Sequence, residues 1–519
     1  MTTPHSLGLH KVLSALSPLV RPIVNYNAER RLAAAVNVSD VRDCAKARAH
    51  KMVFDYLDAG ADDEVTLRRN KDAFTELELH YKILAGLQPP LDMSTSILGN
   101  NVSVPFFPSP TAGSKMFHMD GELGVARAAK RIGAMYCLST MGTTSPKDVA
   151  NALKDLESDE QEKKQTGKLF QLYVWKDRSL VRDLLQQAKE NGFTSLTLTV
   201  DLTWYGNRER DTRNGFTVPP SYTMTQMIEA IRKPAWTWDF VSNDEYAYAA
   251  LDVAASARKE RKDSMDNQST SDEQPLPSDR RAQVSFIRDT FDPSFNWADA
   301  EWLCQEWDGP VALKGVVRPD DALKAVQRGF DAVWVSNHGG RQMETAPASV
   351  DVLPSIREAM GGVKAWCDAR NIMDALKMNG SSDEEIANQI KTDVPTMLTS
   401  KKTGLPIEVI MDGGVQRGTD IVKALVLGAD AVGLGKPYLY GLSAGGEEGV
   451  SKVFDILKEE TERAMGLLGK GTVKELREAN LGLNEDSKFV KKRNGSARDF
   501  PDTGARSRGY GGGDVLRYL

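Results

Sequence analysis

The stretch "AVWVSNHGGR" (residues 332–341) changes abruptly from an apolar run to polar residues and glycines. The four apolar residues Ala332 to Val335 predict a short buried strand. The imidazole and guanidinium that follow would be costly inside a core without partners. The stretch therefore predicts a buried strand whose carboxyl end opens into a site.

Seven further apolar runs resemble this one, and most of them also finish in a polar residue or a glycine. Amphipathic stretches such as "RSLVRDLLQQAKENG" (178–192) fill several of the gaps and predict helices. Eight strand–helix units predict a parallel sheet that closes into a (β/α)₈ TIM barrel, although an open, doubly wound sheet fits the pattern as well. The eight runs are "VPFFPSPTA" (104–112), "AMYCLST" (134–140), "KLFQLYV" (168–174), "TSLTLTVD" (194–201), "PVALKGV" (310–316), "AVWVSNH" (332–338), "IEVIMDGG" (407–414) and "DAVGLGKP" (430–437).

Two long insertions interrupt the alternation, after strands 4 and 6, at about residues 216–300 and 357–404. The first contains a charged segment (256–283) that predicts disorder, and the second contains "SSDEEIANQIKTD" (381–393), which predicts a capped helix. We expect a barrel domain over residues 39–484. Residues 1–38 form an N-terminal arm or helix, or a transit segment, and residues 485–519 a flexible tail.

Composition excludes several classes of protein. The chain has 519 residues with 41% hydrophobic and 27% charged residues, which is typical of a soluble globular protein. Its net charge of -6 is not the excess of positive charge expected of a nucleic-acid-binding protein. No apolar run is long enough to span a membrane. The four cysteines are widely spaced, which disfavours disulfides and zinc sites. We expect a cytoplasmic or mitochondrial protein that is not secreted and binds no metal.

The last two predicted units carry an anion-binding pattern. In "VIMDGGVQRGTD" (409–420), Gly413 and Gly414 precede a predicted helix, and Arg417 could add a bidentate contact. Lys436 in "GLGKP" adds a second positive charge. Barrels commonly bind phosphate after strands 7 and 8, so these loops predict a phosphate site rather than two tight turns alone.

Charged residues at other strand ends predict a carboxylate site. If Arg208 and Arg341 both lie at the same end of the barrel, they would bind a small carboxylate between them. Either arginine alone could equally be a solvent-exposed charge without a ligand. His338 beside Asp201 would be a base held in one tautomer. Lys314, at the end of a buried strand, could form a Schiff base or stabilise negative charge on a cofactor.

The motifs resemble the FMN-dependent 2-hydroxy acid oxidases and dehydrogenases, a family that includes glycolate oxidase, lactate oxidase and the flavin domain of flavocytochrome lactate dehydrogenase. The resemblance covers about residues 39–480 outside the insertions. It is strongest in "SNHGGRQ" (336–342) and "DGGVQRGTD" (412–420), and includes "KMVFDYLDAGADDEVTLRRN" (51–70), "LSTMGTTS" (138–145) and "LTVDLTWYGNRERD" (198–211). It implies an FMN cofactor, a 2-hydroxy acid substrate, an electron acceptor (oxygen, a quinone or a cytochrome) and a homo-oligomer, often a tetramer.

The resemblance also implies a role for each site residue. His338 would be the base, paired with Asp201, while Arg208 and Arg341 grip the substrate carboxylate; Tyr56 and Tyr173 would bond its carboxylate and hydroxyl sides. Lys314 would face the end of the flavin where charge accumulates. Met141 would face the substrate, and its flexibility favours lactate or a somewhat longer chain. The remaining cofactor-binding residues would be Pro110, Thr111, Ala112, Ser139, Gln171, Thr199, Ser336, Asp412, Gly413, Gly414, Arg417, Gly435 and Lys436.

The sequence therefore predicts FMN-dependent oxidation of an (S)-2-hydroxy acid, L-lactate first, to the 2-oxo acid. The alternatives are a glycolate or longer-chain oxidase, another FMN barrel, and a flavin-binding scaffold without turnover.

Overall fold

Eight parallel strands form a barrel at the centre of the computed structural model. The structure describes residues 4–154, 156, 167–173, 175–216, 224–242, 248–249, 252–253, 291–480 and 490–492. Each strand coincides with one of the eight predicted apolar runs. The barrel strands are β1 (Phe106–Pro108), β2 (Tyr136–Ser139), β3 (Lys168–Leu172), β4 (Ser195–Thr199), β5 (Val311–Val316), β6 (Ala332–Val335), β7 (Glu408–Met411) and β8 (Ala431–Leu434).

The strand order shows how the sheet curls. Consecutive strands pair in parallel from β2 to β8, and β8 also pairs in parallel with β1. Because β1 lies beside β2 as well, the sheet is a nearly closed barrel. An open, doubly wound sheet would not bring the first strand beside the last, so the barrel prediction is confirmed.

Helices surround the barrel and extend from it. Those that follow barrel strands cover the outside of the sheet, as expected for strand–helix units. The described α-helices are α1 (Pro4–Ala34), α2 (Val38–Arg48), α3 (Lys51–Asp58), α4 (Val65–Thr75), α5 (Gly121–Arg131), α6 (Pro146–Lys154), α7 (Arg178–Glu190), α8 (Glu209–Arg213), α9 (Met224–Ile231), α10 (Pro234–Ser242), α11 (Trp297–Glu306), α12 (Pro319–Gln327), α13 (Ser349–Ala359), α14 (Gly362–Met378), α15 (Asp383–Asp393), α16 (Gly418–Val426), α17 (Lys436–Leu467) and α18 (Val473–Arg477).

The first insertion is attached to the N-terminal helix by buried charges. Asp239 on α10 accepts a hydrogen bond from Arg21 of α1 at 2.9 Å and pairs with the buried guanidinium of Arg48 on α2. This carboxylate thus joins the insertion, the N-terminal arm and the body of the protein. The charged segment 256–283, predicted to be disordered, lies outside the described residues.

The second insertion contains the capped helix that the sequence predicts. Ser382 Oγ accepts a hydrogen bond from the backbone N–H of Glu385 at 3.3 Å, and Glu385 Oε2 accepts one from the backbone N–H of Ser382 at 2.8 Å. This reciprocal arrangement is a capping box at the start of α15. Trp366 of α14 packs with Ile386 and Ile390 of α15 in a small apolar cluster, so the insertion has a core of its own.

A charged cluster occupies the amino-terminal end of the barrel, at the start of β7 and β8. Asp430 accepts hydrogen bonds from Arg357 and Arg370, both at 2.6 Å, and Glu408 lies 3.4 Å from Arg370. Burial raises the pKa of the Glu408 carboxyl to about 7, against the attraction of Arg370. The arginines of this cluster compensate the buried carboxylates. The cluster lies at the end of the barrel opposite the carboxyl ends of the strands.

Three residues of the C-terminal tail form a strand. Val490–Lys492 pair antiparallel with Leu77–Leu79 through backbone hydrogen bonds. The other residues of the tail after 480 lie outside the described part. A second small antiparallel sheet pairs Thr95–Ile97 with Asn100–Val102. Among the described helices, none has the length and apolar character needed to cross a bilayer.

Candidate active site

A cavity of about 580 Å³ opens at the carboxyl ends of the barrel strands. Its position is the one that the barrel architecture predicts for a site. Most of the predicted site residues line it, although they come from segments nearly 400 residues apart in the chain. These residues are Tyr56, Pro110, Thr111, Ala112, Met141, Tyr173, Arg208, Lys314, His338, Arg341, Asp412, Gly413, Gly414, Gly435 and Lys436.

The backbone of the loop after β6 requires the two glycines that follow His338. His338, Gly339 and Gly340 all have positive φ, of 57°, 66° and 74°. A Cβ at Gly340 would lie 2.6 Å from the backbone nitrogen of Leu67 on α4, so only glycine fits this approach. The left-handed backbone of His338 is uncommon for a residue with a side chain, and it aims the imidazole into the cavity.

His338 forms a close pair with Asp201, the residue two positions beyond β4. Nδ1 of the imidazole lies 2.9 Å from Oδ1 of the carboxylate. Burial by itself raises the pKa of the Asp201 carboxyl, but the imidazole and Lys314 outweigh burial and hold that pKa below its usual value. An ionised carboxylate only accepts hydrogen bonds, so Nδ1 donates and a neutral imidazole keeps its lone pair on Nε2.

The protonation state of His338 suits a base. Burial lowers the pKa of the imidazole below its usual value, and the charges of Lys314 and Arg208 lower it further, while Asp201 opposes the change. His338 is therefore predominantly neutral at neutral pH, which is the form that can accept a proton.

The two predicted arginines both reach the cavity but are held differently. Arg341 Nη1 donates to the backbone carbonyls of Tyr56 at 2.6 Å and Ala59 at 3.1 Å, and its guanidinium lies over the Tyr56 ring. Burial, followed by repulsion from Arg208, lowers the pKa of Arg341 to about 10. Arg208 Nη2 donates to Gln342 at 3.3 Å, and its buried Nε has no partner in the described part of the chain. Two such close cations favour binding of an anion between them.

An apolar wall completes this end of the cavity. The Tyr173 ring contacts the Phe291 ring edge to face, with the centroids 5.4 Å apart, and burial raises the pKa of its hydroxyl, which therefore stays protonated. Met141, Tyr248 and Phe291 line the same cavity. Tyr248 and Phe291 belong to the first insertion and were not predicted as site residues, because no periodic pattern marks them in that region.

A buried polar cluster connects β5, β6 and β7. Lys314 Nζ donates to Ser336 Oγ at 2.8 Å and lies 3.2 Å from Asp412 Oδ2. Asp412 also accepts hydrogen bonds from Ser336 at 2.5 Å and Ser109 at 3.1 Å. The lysine at the end of a buried strand is thus compensated by a carboxylate, and it contributes a fixed positive charge to the cavity.

Three predicted polar residues, Ser139, Gln171 and Thr199, lie at or near strand ends, and two of them, Gln171 and Thr199, have a buried polar atom without a partner among the described residues. Ser139 Oγ donates to Gln171 Oε1 at 2.6 Å, which fixes the amide with its Nε2 donors unpaired. The buried hydroxyl of Thr199 also lacks a partner among the described residues. Buried polar atoms are normally satisfied, so these atoms indicate a polar ligand. On β1's side, Thr111 Oγ1 lies 2.5 Å from the Tyr438 hydroxyl.

The loops after β7 and β8 form the other end of the cavity. Gly413 and Gly414 have φ of 99° and 83°, and Lys436 begins α17 with its ammonium 3.4 Å from the carbonyl of Gly339. Arg417 is not among the cavity-lining residues: it pairs with Glu460 at 2.9 Å, and about half of its side chain is exposed.

Gln416 and Lys71 line the cavity although neither was predicted to do so. Gln416 directly precedes the arginine in the motif, and its uncharged side chain gave no signal. Lys71 lies on α4, outside the predicted strand–helix units of the barrel. The only signal near it in the sequence was the family resemblance of residues 51–70, which directly precede it.

Comparisons with known proteins agree with this geometry. The sequence profile of the family described as "FMN-dependent dehydrogenase" matches residues 45–375 and 391–483. The chain is 33% identical to 2-hydroxyacid oxidase 1 of Mus musculus, over 85% of this chain and 94% of that protein. It is 31% identical to an L-lactate oxidase of Nostoc sp., over 87% and 99%. A crystal structure of the monotopic membrane protein (S)-mandelate dehydrogenase superposes with a TM-score of 0.67 at 29% identity, over 88% and 100%.

The residues present fit FMN, the cofactor of this family. The unpaired amide of Gln171 and hydroxyl of Thr199 offer hydrogen bonds to a polar ring system. A Cβ at Gly435 would meet no atom within 4 Å, which leaves open space for a ligand at the start of a helix. The chain belongs to the FMN-dependent dehydrogenases, in the group of (S)-2-hydroxy acid oxidases and dehydrogenases.

Proposed function

We propose that the enzyme oxidises L-lactate to the 2-oxo acid, with His338 as base and Arg208 and Arg341 as the carboxylate-binding pair. The convergence of the His338–Asp201 pair with both guanidiniums on one cavity supports this proposal most strongly. A neutral imidazole accepts the substrate proton, and two cations hold the carboxylate beside it.

The reaction divides between cofactor and protein. The bound flavin supplies the acceptor for the two electrons that leave the substrate. Arg208 and Arg341 bind and orient the carboxylate, and the protonated hydroxyl of Tyr173 hydrogen-bonds the substrate oxygen. His338 Nε2 takes the proton, and Asp201 stabilises the imidazolium that forms.

The size of the substrate side chain follows from the apolar wall. Met141 can change rotamer, so it accommodates a methyl group and also a longer chain. Because Tyr248 and Phe291 extend the apolar lining, a longer-chain 2-hydroxy acid is the second candidate, ahead of glycolate, which would leave the wall uncovered.

Flavin bleaching tests the proposal directly. Purified enzyme should be yellow, and its flavin absorbance should bleach anaerobically with L-lactate but not with D-lactate. Glycolate and 2-hydroxy acids with longer side chains, added in the same way, rank the alternatives. Faster bleaching with a longer acid than with L-lactate would identify that acid as the preferred substrate. No bleaching with any of these acids would contradict the proposal.

Readmission of air to the bleached enzyme then distinguishes acceptors. Rapid return of the yellow colour is the result expected of an oxidase, whereas return only with a quinone or a cytochrome is expected of a dehydrogenase.

A further inference from the structure

The end of the cavity formed by the loops after β7 and β8 lacks a positive charge from the β7 loop. Arg417, the arginine of that loop, is paired with Glu460 and does not line the cavity. Its neighbour Gln416 does line the cavity but is neutral, and its amide donates to the carbonyl of Val415 at 3.0 Å. Of the two loops, only the second therefore contributes a cation, Lys436.

Helix α4 brings a second cation to the same place. A Cβ on Gly414 would lie 2.0 Å from the backbone oxygen of Asn70, so α4 packs directly against the β7 loop. The side chains of Asn70 and Asn337 exchange two hydrogen bonds, of 2.9 and 2.7 Å, which fix α4 to the loop after β6 as well. Lys71, the next residue, lines the cavity.

Within the described residues, the ammonium group of Lys71 has no carboxylate at ion-pair distance. The nearby carboxylate of Asp58 is already bound by Arg42, at 2.7 and 2.8 Å, and by the Tyr440 hydroxyl at 2.8 Å. Burial lowers the pKa of Lys71, with only partial compensation from Asp58. A half-buried cation without a counterion indicates a site for an anion.

Lys436 is in the same situation. It is half-buried, and its described contact is the carbonyl of Gly339 at 3.4 Å. Burial lowers its pKa well below the usual value, and Arg341 and Lys71 lower it further by repulsion. Lys71 and Lys436 thus repel each other across a cavity in which Gly435, at the start of α17, leaves open space. A phosphate dianion would stabilise this arrangement.

We propose that Lys71 binds the phosphate of FMN together with Lys436. Lys71 thereby supplies the positive charge that Arg417 of the β7 loop does not bring to the cavity. Lys71 is then a cofactor-binding residue contributed by a helix outside the barrel. This inference rests on the FMN of the family and not on the proposed substrate, so a different 2-hydroxy acid would leave it unchanged.

Comparison of two flavins tests the proposal, because riboflavin lacks the phosphate. We expect Lys71→Met to raise the dissociation constant of FMN about tenfold or more, as for loss of one charge-assisted hydrogen bond. The constant for riboflavin should stay the same, and Lys71→Arg should keep most of the FMN affinity. Flavin fluorescence quenching with full-length apoprotein measures all these constants. The matched control is Arg68→Met, which removes an exposed cation from the same helix and should change neither constant.

Equal weakening of FMN and riboflavin binding by Lys71→Met would indicate a structural role, and unchanged FMN binding would also overturn the proposal. A second measurement needs no variant. Acetylation of Lys71 by an amine-reactive reagent, followed by peptide mass spectrometry, should be slowed by FMN but not by riboflavin. Equal labelling in the two complexes would contradict the contact. Failure of L-lactate to bleach the flavin would affect the substrate proposal alone.

Discussion

The pair of His338 and Asp201 makes the sharpest prediction about the reaction, through Asp201→Asn. In the proposed reaction, the imidazolium that would form on His338 is stabilised by an ionised carboxylate 2.9 Å away in a largely enclosed site. A hydrogen bond to a charged group contributes about 1.5–3 kcal/mol, and each 1.4 kcal/mol changes a rate about tenfold. Loss of the charge should therefore lower kcat by at least about ten- to a hundredfold. An amide that donates to Nδ1 would add to the loss by fixing the wrong tautomer.

The pH profile distinguishes this effect from general damage. Asp201 raises the pKa of His338 against burial, so its removal should lower that pKa. The acidic limb of kcat/KM, below which the base is protonated, should move to lower pH while the plateau falls. Rapid-scan reduction of the flavin by L-lactate, from about pH 5 to pH 9, measures both. Asp383→Asn, at an exposed position on α15, is the matched control. An unchanged plateau, or a limb that moves to higher pH, would refute the role of Asp201.

Three further predictions test other contacts. His338→Gln should keep the flavin absorbance and lose at least about a hundredfold in reduction rate, since general-base catalysis contributes that much; near-normal turnover would remove His338 from the mechanism. Arg341→Lys should raise KM about tenfold, because a lysine cannot form the bidentate contact, and an unchanged KM would argue against carboxylate binding. Gly340→Ala, with φ of 74° and a Cβ 2.6 Å from Leu67, should lower the free energy of unfolding by about 1–3 kcal/mol in urea titrations. No loss would show that the loop has another low-energy conformation.

A prediction about pH and stability concerns the opposite end of the barrel. Because the folded pKa of Glu408 is raised to about 7, its contribution to stability is fully present below the pKa of the unfolded chain and is lost as pH rises through about 7. Glu408→Gln should therefore reduce the fall in unfolding free energy between about pH 5 and pH 8. An identical pH dependence in both proteins would show that Glu408 is ionised in the folded state.

The barrel could be predicted because its signal is local. Each strand is an apolar run of a few residues that ends in a polar group, and eight runs separated by helical patterns leave few alternatives. The Ser382–Glu385 capping box was predictable for the same reason, since both partners lie within four residues. Features formed by residues that lie close together in the chain can therefore be predicted from the sequence.

The details of the site depend on distant contacts and could not be predicted in this way. Arg417 and Gln416 are adjacent, and only the packing of α16 against α17, where Glu460 lies, decides which of them faces the cavity. Phe291 reaches the cavity from an insertion whose sequence has no periodic pattern. Lys71 reaches it because Gly414 allows α4 to approach, a condition that involves residues more than 340 positions apart.

The charges of the cavity explain how one site can hold two anions and still contain a neutral base. We infer that Lys71 and Lys436 face the phosphate, while Arg208 and Arg341 face the substrate carboxylate. The same positive field that attracts both anions lowers the pKa of His338, since Arg208 is one of the charges acting on it. Asp201 limits this effect, because its carboxylate acts to raise the pKa of the imidazole. Binding of the substrate carboxylate neutralises part of the field and should raise the pKa of His338 when proton transfer requires it.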